Sequence, residues 1–236
     1  LLGEGLTPSL SNFGHSGRPP THPRLLDHLA HDFIENGGSM KTLIRRIVLS
    51  STFRQASSIQ AGRDERDLRL QLFGMARVRR LQAESIWRTL NQLEYGALPE
   101  DKRRNPPHDL VQETNDLFDG ADSSLIVPRR TASVSSLQAL FLLNSEHLQR
   151  STERIATRLH ALPDDPARIH EIHRLLYSRD ATPQDLADAR EFLAAWDSPP
   201  PPGQRPSKTG PPPEILTRWQ AYLQALLATN EFLFVD

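Results

Sequence analysis

Two arginines and a threonine, Arg129, Arg130 and Thr131, stand at the end of an irregular stretch and directly before the most apolar segment of the chain. A guanidinium group binds carboxylates and phosphates through paired hydrogen bonds, and a helix N-terminus adds unpaired backbone N–H groups. This pattern suits an anion. The alternative is that Arg130 bonds loop carbonyls or a nearby carboxylate and orders the loop, and we favour it because buried arginines are usually paired structurally.

Two pairs of histidines stand three residues apart, His28 with His31 and His170 with His173. That spacing places two imidazoles on one face of a helix, where a metal ion could use them. The first pair, with Asp32 beside it, falls on the expected polar face of its helix, and a surface helix explains the second pair. We therefore predict no metal site.

No recognised catalytic motif occurs in the chain: there is no G-x-S-x-G elbow, no Walker phosphate loop and no G-x-G-x-x-G after a strand. The absence of cysteine excludes thiolate nucleophiles, disulfides, iron–sulfur clusters and an attached c-type haem within this segment. Carboxylate pairs of the glycosidase type depend on a separation that the fold sets. We assign no catalytic residue, predict no cofactor in this segment, and leave open whether the chain is an enzyme.

The 236 residues carry a formal charge of −1, from 28 basic and 29 acidic side chains. Residues 41–80 hold ten basic and three acidic side chains, a net charge of +7. Such a block could face phosphates, an acidic polymer or an acidic domain, but aromatic residues for base stacking are sparse there. We predict no nucleic-acid partner. We also predict no membrane span, because no apolar run approaches the roughly 18 residues that one needs.

Capping residues, prolines and glycines divide the chain into segments whose apolar residues recur at helical spacing. Thr21 is the predicted cap of the first helix, which ends at Asn36, and Ser39 is the predicted cap of the second. Further helices are predicted over residues 65–73, 82–95, 137–144, 145–160, 167–177, 184–196 and 214–228. Residues 97–130 are predicted to be irregular, with a short strand at 125–127. The predicted fold is mainly α, an irregular multi-helix bundle with long loops and little or no β-structure.

The chain divides by composition into three parts. Residues 1–197 are predicted to form the helical body. Residues 198–213 contain eight prolines, so they are predicted to form a linker or an exposed loop. Residues 214–236 are predicted to supply a last helix and an apolar tail that docks back on the body.

Several short strings occur together in a characteristic order. They are NFG at 12–14, THPxLLDxLA at 21–30, SxxFRQ at 50–55, RRT at 129–131, LQALxLLN at 137–144 and LLxxNEFL at 226–233. As an ordered set they resemble the C-terminal domain of unknown function 1553 of planctomycete-type secreted cytochrome proteins. The resemblance covers nearly the whole chain.

The resemblance implies a context that the composition does not show. Such domains follow a c-type cytochrome module in one exported polypeptide, so haem is expected only in an upstream module and the location is expected to be periplasmic or extracellular. The chain is expected to be truncated at its N-terminus relative to the family. No reaction is established for the family, so the resemblance names no chemistry.

Two functions follow as hypotheses. The first is a docking or scaffold role, in which the partners are neighbouring domains of the same polypeptide. The second is an envelope polysaccharide-acting enzyme or glycan-binding domain, in which an arginine cluster of Arg54, Arg129 and Arg130 binds an anionic glycan. The candidate ligand or interface residues are Asn12, Arg54, Gln55, Arg129, Arg130, Thr131, Gln138 and Asn144.

Overall fold

The computed structural model describes residues 1–9, 11–12, 15–57, 72–95, 106–122, 124, 130, 132–196 and 217–235. Within these ranges the chain has ten helices and one two-stranded sheet, which confirms the predicted mainly α fold. The helices are α1 (Pro23–Glu35), α2 (Met40–Leu49), α3 (Ala83–Tyr95), α4 (His108–Leu117), α5 (Ser136–Asn144), α6 (Glu146–Leu159), α7 (Asp165–Tyr177), α8 (Pro183–Trp196), α9 (Arg218–Leu227) and α10 (Asn230–Leu233). In this part of the chain no helix has the length and apolar character that crossing a bilayer requires.

The chain forms two compact units. The first comprises Leu1–Arg80, Ser123–Arg130 and Phe234–Asp236, and the second comprises Leu81–Asp122 and Thr131–Leu233.

A helical hairpin of α1 and α2 dominates the first unit. Gly37 and Gly38 follow α1 with φ of 67° and 73°, a left-handed conformation that glycine adopts without a Cβ penalty. The side chain of Ser39 then caps α2 by accepting the Thr42 N–H, as predicted. The cap of α1 is His22 rather than the predicted Thr21, whose backbone N–H donates instead to Leu6.

The apolar face of α2 is only partly covered. Leu43, Ile47 and Val48 are half-buried, Ile44 is exposed, and no residue of α2 is fully buried. The predicted buried stripe is therefore a half-covered surface. It contributes less to stability than a core helix does, because hydrophobic stabilisation scales with the area removed from water.

A short antiparallel ladder closes the first unit. Strand β1 (Arg79–Arg80) pairs with β2 (Phe234–Val235), so that Arg79 lies opposite Val235. The last described residues of the chain thus hydrogen-bond to a segment that lies more than 150 positions earlier.

The second unit is built around α6. This helix packs against α3 and α9; α4 covers α3, while α5 and α8 contact α9. Helix α10 contacts α7 and α9. The core is aliphatic and includes Ile86, Leu90, Leu148, Ile155, Leu223 and Leu227, each almost fully buried.

Helix α4 lies within residues 97–130, where the sequence predicted irregular structure, and for residues 108–117 that prediction was wrong. Prolines 106 and 107 predict a break in helical structure, but Pro107 occupies the N-cap, outside the hydrogen-bonded turns. In this segment the side chains of Leu110 and Phe118 are fully buried. The hydroxyl of the buried Thr114 donates to the Leu110 carbonyl at 2.7 Å, so its polar atom is satisfied.

The caps of later helices lie close to their predicted positions. Ser135 and Ser145 are the N-caps of α5 and α6, and Asp164 rather than the predicted Asp165 caps α7 by accepting the Ala167 N–H. Residues 58–71, 125–129 and 197–216 lie outside the described residues. The predicted strand at 125–127, the linker at 198–213 and the three-part division of the chain therefore stay predictions, as does most of the helix at 65–73.

Candidate functional site

The predicted site residues are distributed over both units. Asn12, Arg54, Gln55 and Arg130 belong to the first unit, and Gln138 and Asn144 belong to the second. Arg129 and Thr131 lie outside the described residues. That these residues form one site stays a prediction.

In the first unit the predicted residues lie mostly at the surface. Exposed Asn12 donates to the Ser16 hydroxyl at 3.0 Å, and Arg130 is also exposed. Arg54, exposed as well, follows α2 in a turn. Half-buried Gln55 differs from them, because its Oε1 is buried and accepts no hydrogen bond from the described residues.

In the second unit the side chain of Gln138 forms hydrogen bonds with backbone groups. It is buried, and its Nε2 donates to the carbonyls of Leu117 at 2.8 Å and Ser133 at 3.2 Å. Its Oε1 accepts the N–H of Ser135, the N-cap of its own helix. Asn144, at the other end of α5, is exposed and donates to the Leu140 carbonyl at 3.0 Å. Gln138 thus joins the end of α4 to the start of α5.

A cavity of about 500 Å³ lies in the first unit between the N-terminal segment, α1 and α2. All of its lining residues belong to that unit. Its walls are largely aliphatic, from Leu1, Leu2, Leu6, Leu25, Leu29, Ile47 and Leu72, with Phe73 beside them. Its polar lining residues are Glu4, His22, His28, Asp32, Arg46, Ser50 and Thr52. A largely apolar pocket with a few polar groups is typical of small-molecule sites.

An ion pair between the two helices of the hairpin forms one side of this cavity. Asp32 of α1 is buried, and its carboxylate accepts from Arg46 of α2 and from the side chain of Asn36. The sequence had placed Asp32 on a polar face, which is wrong because α2 folds back over that side of α1. His31 remains at the surface and pairs with Glu35.

The second carboxylate at the cavity is also paired with an arginine. Glu4 accepts from Arg77 at 3.2 Å. His22 contacts the Thr21 hydroxyl through Nδ1 and stacks at a tilt on Phe73, with ring centroids 5.5 Å apart. The negative charges of Asp32 and Glu4 are therefore each balanced by an arginine. Within the described ranges no group of three or more His, Asp or Glu side chains is placed to hold a metal ion.

A buried histidine organises a polar network in the second unit. His173 was predicted to lie on a surface helix, but it is buried because α8 and α9 cover that side of α7. Its Nε2 lies 3.3 Å from the Tyr222 hydroxyl and its Nδ1 lies 3.8 Å from a carboxylate oxygen of Asp185. Burial lowers the pKa of His173, which keeps the imidazole neutral. Burial also raises the pKa of Tyr222.

Arg179 ties this network to the end of the chain. Its guanidinium donates to Asp185 at 2.7 Å and to Glu231 at 2.6 Å. These bonds lower the pKa of Asp185, while burial raises the pKa of neighbouring Tyr177 to about 12. The paired groups lie on α7, α8 and α10 and on the turn after α7, so the network holds these elements together.

An arginine row that the sequence reasoning missed lies on α6. Arg150, Arg154 and Arg158 follow one another at four-residue spacing, which places them on one helix face. Arg150 and Arg154 each approach the buried carboxylate of Glu94 to 3.8 Å, and Arg154 lies over the ring of Tyr95 at 5.0 Å. The R-x-x-x-R-x-x-x-R spacing is the sequence pattern that indicates this row of arginines. An open groove of about 430 Å³ runs beside the row.

Helix α5 carries an exposed aliphatic face. Leu137, Leu140 and Leu143 are 59%, 51% and 47% exposed, whereas Phe141 and Leu142 on the opposite side are buried. The sequence predicted this helix to be the most apolar one without indicating that three of its four leucines face water. A helix that is apolar on all sides is normally buried on all sides.

The model of the family described as PSD1, "Protein of unknown function (DUF1553)", matches residues 1–116 and 101–193. No curated protein and no solved structure matches the chain.

Proposed function

This chain belongs to the PSD1 family of proteins of unknown function (DUF1553), and from its exposed surface we propose that it is a docking domain. Its binding face is the aliphatic side of α5, formed by Leu137, Leu140 and Leu143. Its partner is a neighbouring domain of the same polypeptide.

The chemistry of this face determines what it can bind. Helix α5 has the sequence SLQALFLLN and contains no charged residue. An uncharged leucine face gains free energy by leaving water, and it offers no ionic group to a charged partner. The matching surface is therefore apolar and uncharged.

The size of the face favours a covalently linked partner. The three leucines leave on the order of 300 Å² of aliphatic surface in water, which is typical of a functional patch. A stable complex between independent proteins buries about 800 Å² on each partner. A linked domain needs less, because a connecting chain raises its effective concentration to about the millimolar range.

The family context supports the same partner. The resemblance to the C-terminal domains of planctomycete-type cytochrome proteins implies an exported polypeptide in which other modules precede this domain. In this proposal the domain serves the cytochrome module as a scaffold in the periplasmic or extracellular space.

The test separates the domain from its neighbours. The chain and the remaining domains of its polypeptide are produced as two proteins, and their association is measured by isothermal titration calorimetry. Leu140→Glu is expected to weaken association at least tenfold, since burying one leucine contributes about 1.5–3 kcal/mol. Leu175→Glu, at another exposed leucine of the same unit, is the matched control and should change affinity less than twofold.

Two results would contradict the docking role. One is the absence of association when the two proteins are mixed at about the millimolar concentration that the connecting chain would provide. The other is an equal loss of affinity in both variants, because a general effect of the added charge would then explain the result.

We propose glycan binding as a second function, on the evidence of the arginine row of α6. Arg154 and Arg158 line the open groove together with Tyr95, Thr157 and two carboxylates, Glu94 and Glu153, which combines cations, a ring and hydrogen-bond acceptors for hydroxyl groups. Guanidinium groups suit the sulfate or carboxylate groups of an anionic glycan. In this proposal the arginine cluster lies on α6, whereas the sequence predicted it at Arg54, Arg129 and Arg130.

The glycan proposal is tested with a sulfated oligosaccharide and its desulfated form. The sulfated form should bind the chain, and Arg154→Gln should weaken binding severalfold. Arg190→Gln, at an exposed position of α8, is the control. Equal binding of both saccharides would overturn the proposal.

A further inference from the structure

We propose that the cavity of the first unit binds a single-chain amphipathic carboxylate. The aliphatic chain of the ligand lies along α1 and α2, and its carboxylate accepts hydrogen bonds from Arg46 at the cavity mouth. This site is separate from the α5 face and does not depend on the docking role.

The walls of the cavity suit an alkyl chain. Leu29 and Ile47 line it from the two helices of the hairpin and are half-buried, and Leu6 closes it from the N-terminal segment. Seven of its lining residues are leucine or isoleucine. Linear alkyl groups gain free energy on such a surface without needing any directed polar contact.

The volume sets the length of the ligand. A methylene group occupies about the same space as a water molecule in the liquid, ~30 Å³. The cavity of about 500 Å³ therefore accommodates a chain on the order of ten to fifteen carbon atoms.

The charges at the cavity favour an anionic head group. Asp32 is already paired with Arg46, and Glu4 is already paired with Arg77, so neither carboxylate is left to attract a cation. Arg46 contacts Asp32 through one terminal nitrogen, whereas a guanidinium has five N–H donors in a fork. Half of the Arg46 side chain is exposed.

A histidine adds a second donor to this end of the cavity. His28 lines the cavity on α1 and is exposed. A neutral imidazole supplies one N–H and a protonated imidazole supplies two. A ligand carboxylate beside Arg46 and His28 therefore accepts hydrogen bonds from side chains of α1 and α2. A ligand ammonium group in the same place would be repelled by the positive charge of Arg46.

The test uses sodium dodecanoate below its micelle concentration, titrated into the whole chain by calorimetry. We expect saturable binding of one molecule per chain. Dodecylamine, with a cationic head, and 1-dodecanol, with a neutral head, have the same chain length and should bind at least tenfold more weakly. Vesicles of neutral phosphatidylcholine separate the free acid from a lipid surface, and the chain should not bind them.

Variants at exposed positions test the location without disturbing the ion pair. Leu25 lines the cavity and is exposed, so Leu25→Glu places a negative charge at its mouth and should weaken dodecanoate binding at least tenfold. Leu25→Lys, of similar length, should not weaken it. Leu26→Glu is the control, because the neighbouring Leu26 is also exposed but lies outside the cavity lining.

The proposal is overturned by no saturable binding of dodecanoate, by equal binding of dodecylamine, by binding to vesicles alone, or by an equal loss of affinity in Leu25→Glu and Leu26→Glu. Circular dichroism of each variant ensures that a loss of binding is not a loss of folding. An intact fold with unchanged dodecanoate affinity in Leu25→Glu counts against the site directly.

Discussion

A substitution at Gln138 tests whether this residue stabilises the fold or is available to bind a ligand. Its amide donates to the carbonyls of Leu117 and Ser133, and its oxygen accepts the N–H of Ser135. Gln138→Glu keeps the shape and the acceptor but replaces the NH₂ group with a second oxygen. Both carbonyls then face either a charge or, after protonation, a single O–H donor.

The magnitude follows from the protonation equilibrium. A buried carboxylate without a cation becomes neutral instead of remaining charged, so its penalty at pH 7 is limited by the free energy of protonation. From a usual pKa of about 4.3, protonation at pH 7 requires roughly 3.5 kcal/mol, at 1.36 kcal/mol per pH unit. One lost hydrogen bond adds about 1 kcal/mol. We expect Gln138→Glu to lower the free energy of unfolding by about 4.5 kcal/mol at pH 7 and by about 2 kcal/mol at pH 5.

Asn144→Asp is the matched control on the same helix. It makes the same chemical change and also removes a donor to a carbonyl, that of Leu140, but the side chain is exposed. Water replaces the lost bond, and the remaining penalty is the placement of an acid near a helix C-terminus, about 0.3–1 kcal/mol. Burial is thus the main difference between the two variants.

Urea unfolding followed by tryptophan fluorescence measures both variants against the unmodified chain at pH 7 and pH 5. All three tryptophans, Trp87, Trp196 and Trp219, belong to the second unit, so the signal reports the unit that contains Gln138. The reasoning is refuted if Gln138→Glu costs no more than Asn144→Asp, or if its cost does not decrease at pH 5. Gln138 would then be free to serve a ligand.

Three further predictions concern the second unit. Burial lowers the pKa of His173 in the folded chain, so the unfolded chain binds a proton at a higher pH than the folded chain does. The free energy of unfolding should therefore fall as the pH drops below about 6.5. Urea titrations at several pH values should find a smaller fall in His173→Phe. Arg179→Met removes ion pairs from the network and should lower the free energy of unfolding by about 1 kcal/mol, less in 1 M salt, since the side chain is partly exposed; an equal effect at all salt concentrations would contradict this. Leu90→Ala leaves a cavity in the core and should cost about 2–5 kcal/mol by urea unfolding, whereas Leu140→Ala at the exposed face should cost less than about 0.5 kcal/mol.

The predicted helices agree with the structure wherever their signals are local. Ser39 caps α2 through a residue three positions away, and Gly37 and Gly38 end the preceding turn through their own backbone conformation. Helix α4 escaped prediction because its prolines precede the first turn and its apolar residues are few, so only its packing on α3 reveals why Leu110 is buried.

The candidate site was far less predictable. Asp32 and His173 were both assigned to polar surfaces from the periodicity of their own helices, yet both are buried. Their partners, Arg46 and Tyr222, lie 14 and 49 positions away along the chain. Helix periodicity gives the face on which a side chain lies but not which other element covers that face.

The amino-acid sequence by itself determined the mainly α class and most of the helix boundaries, because caps, glycines and apolar spacing act within about one helical turn. Only the tertiary structure decided that Leu137, Leu140 and Leu143 of α5 face water, that two acids at the cavity are matched by arginines, and that burial lowers the pKa of one histidine. Solvent exposure and electrostatic environment arise from segments distant in sequence, and these properties control what a side chain can bind or protonate.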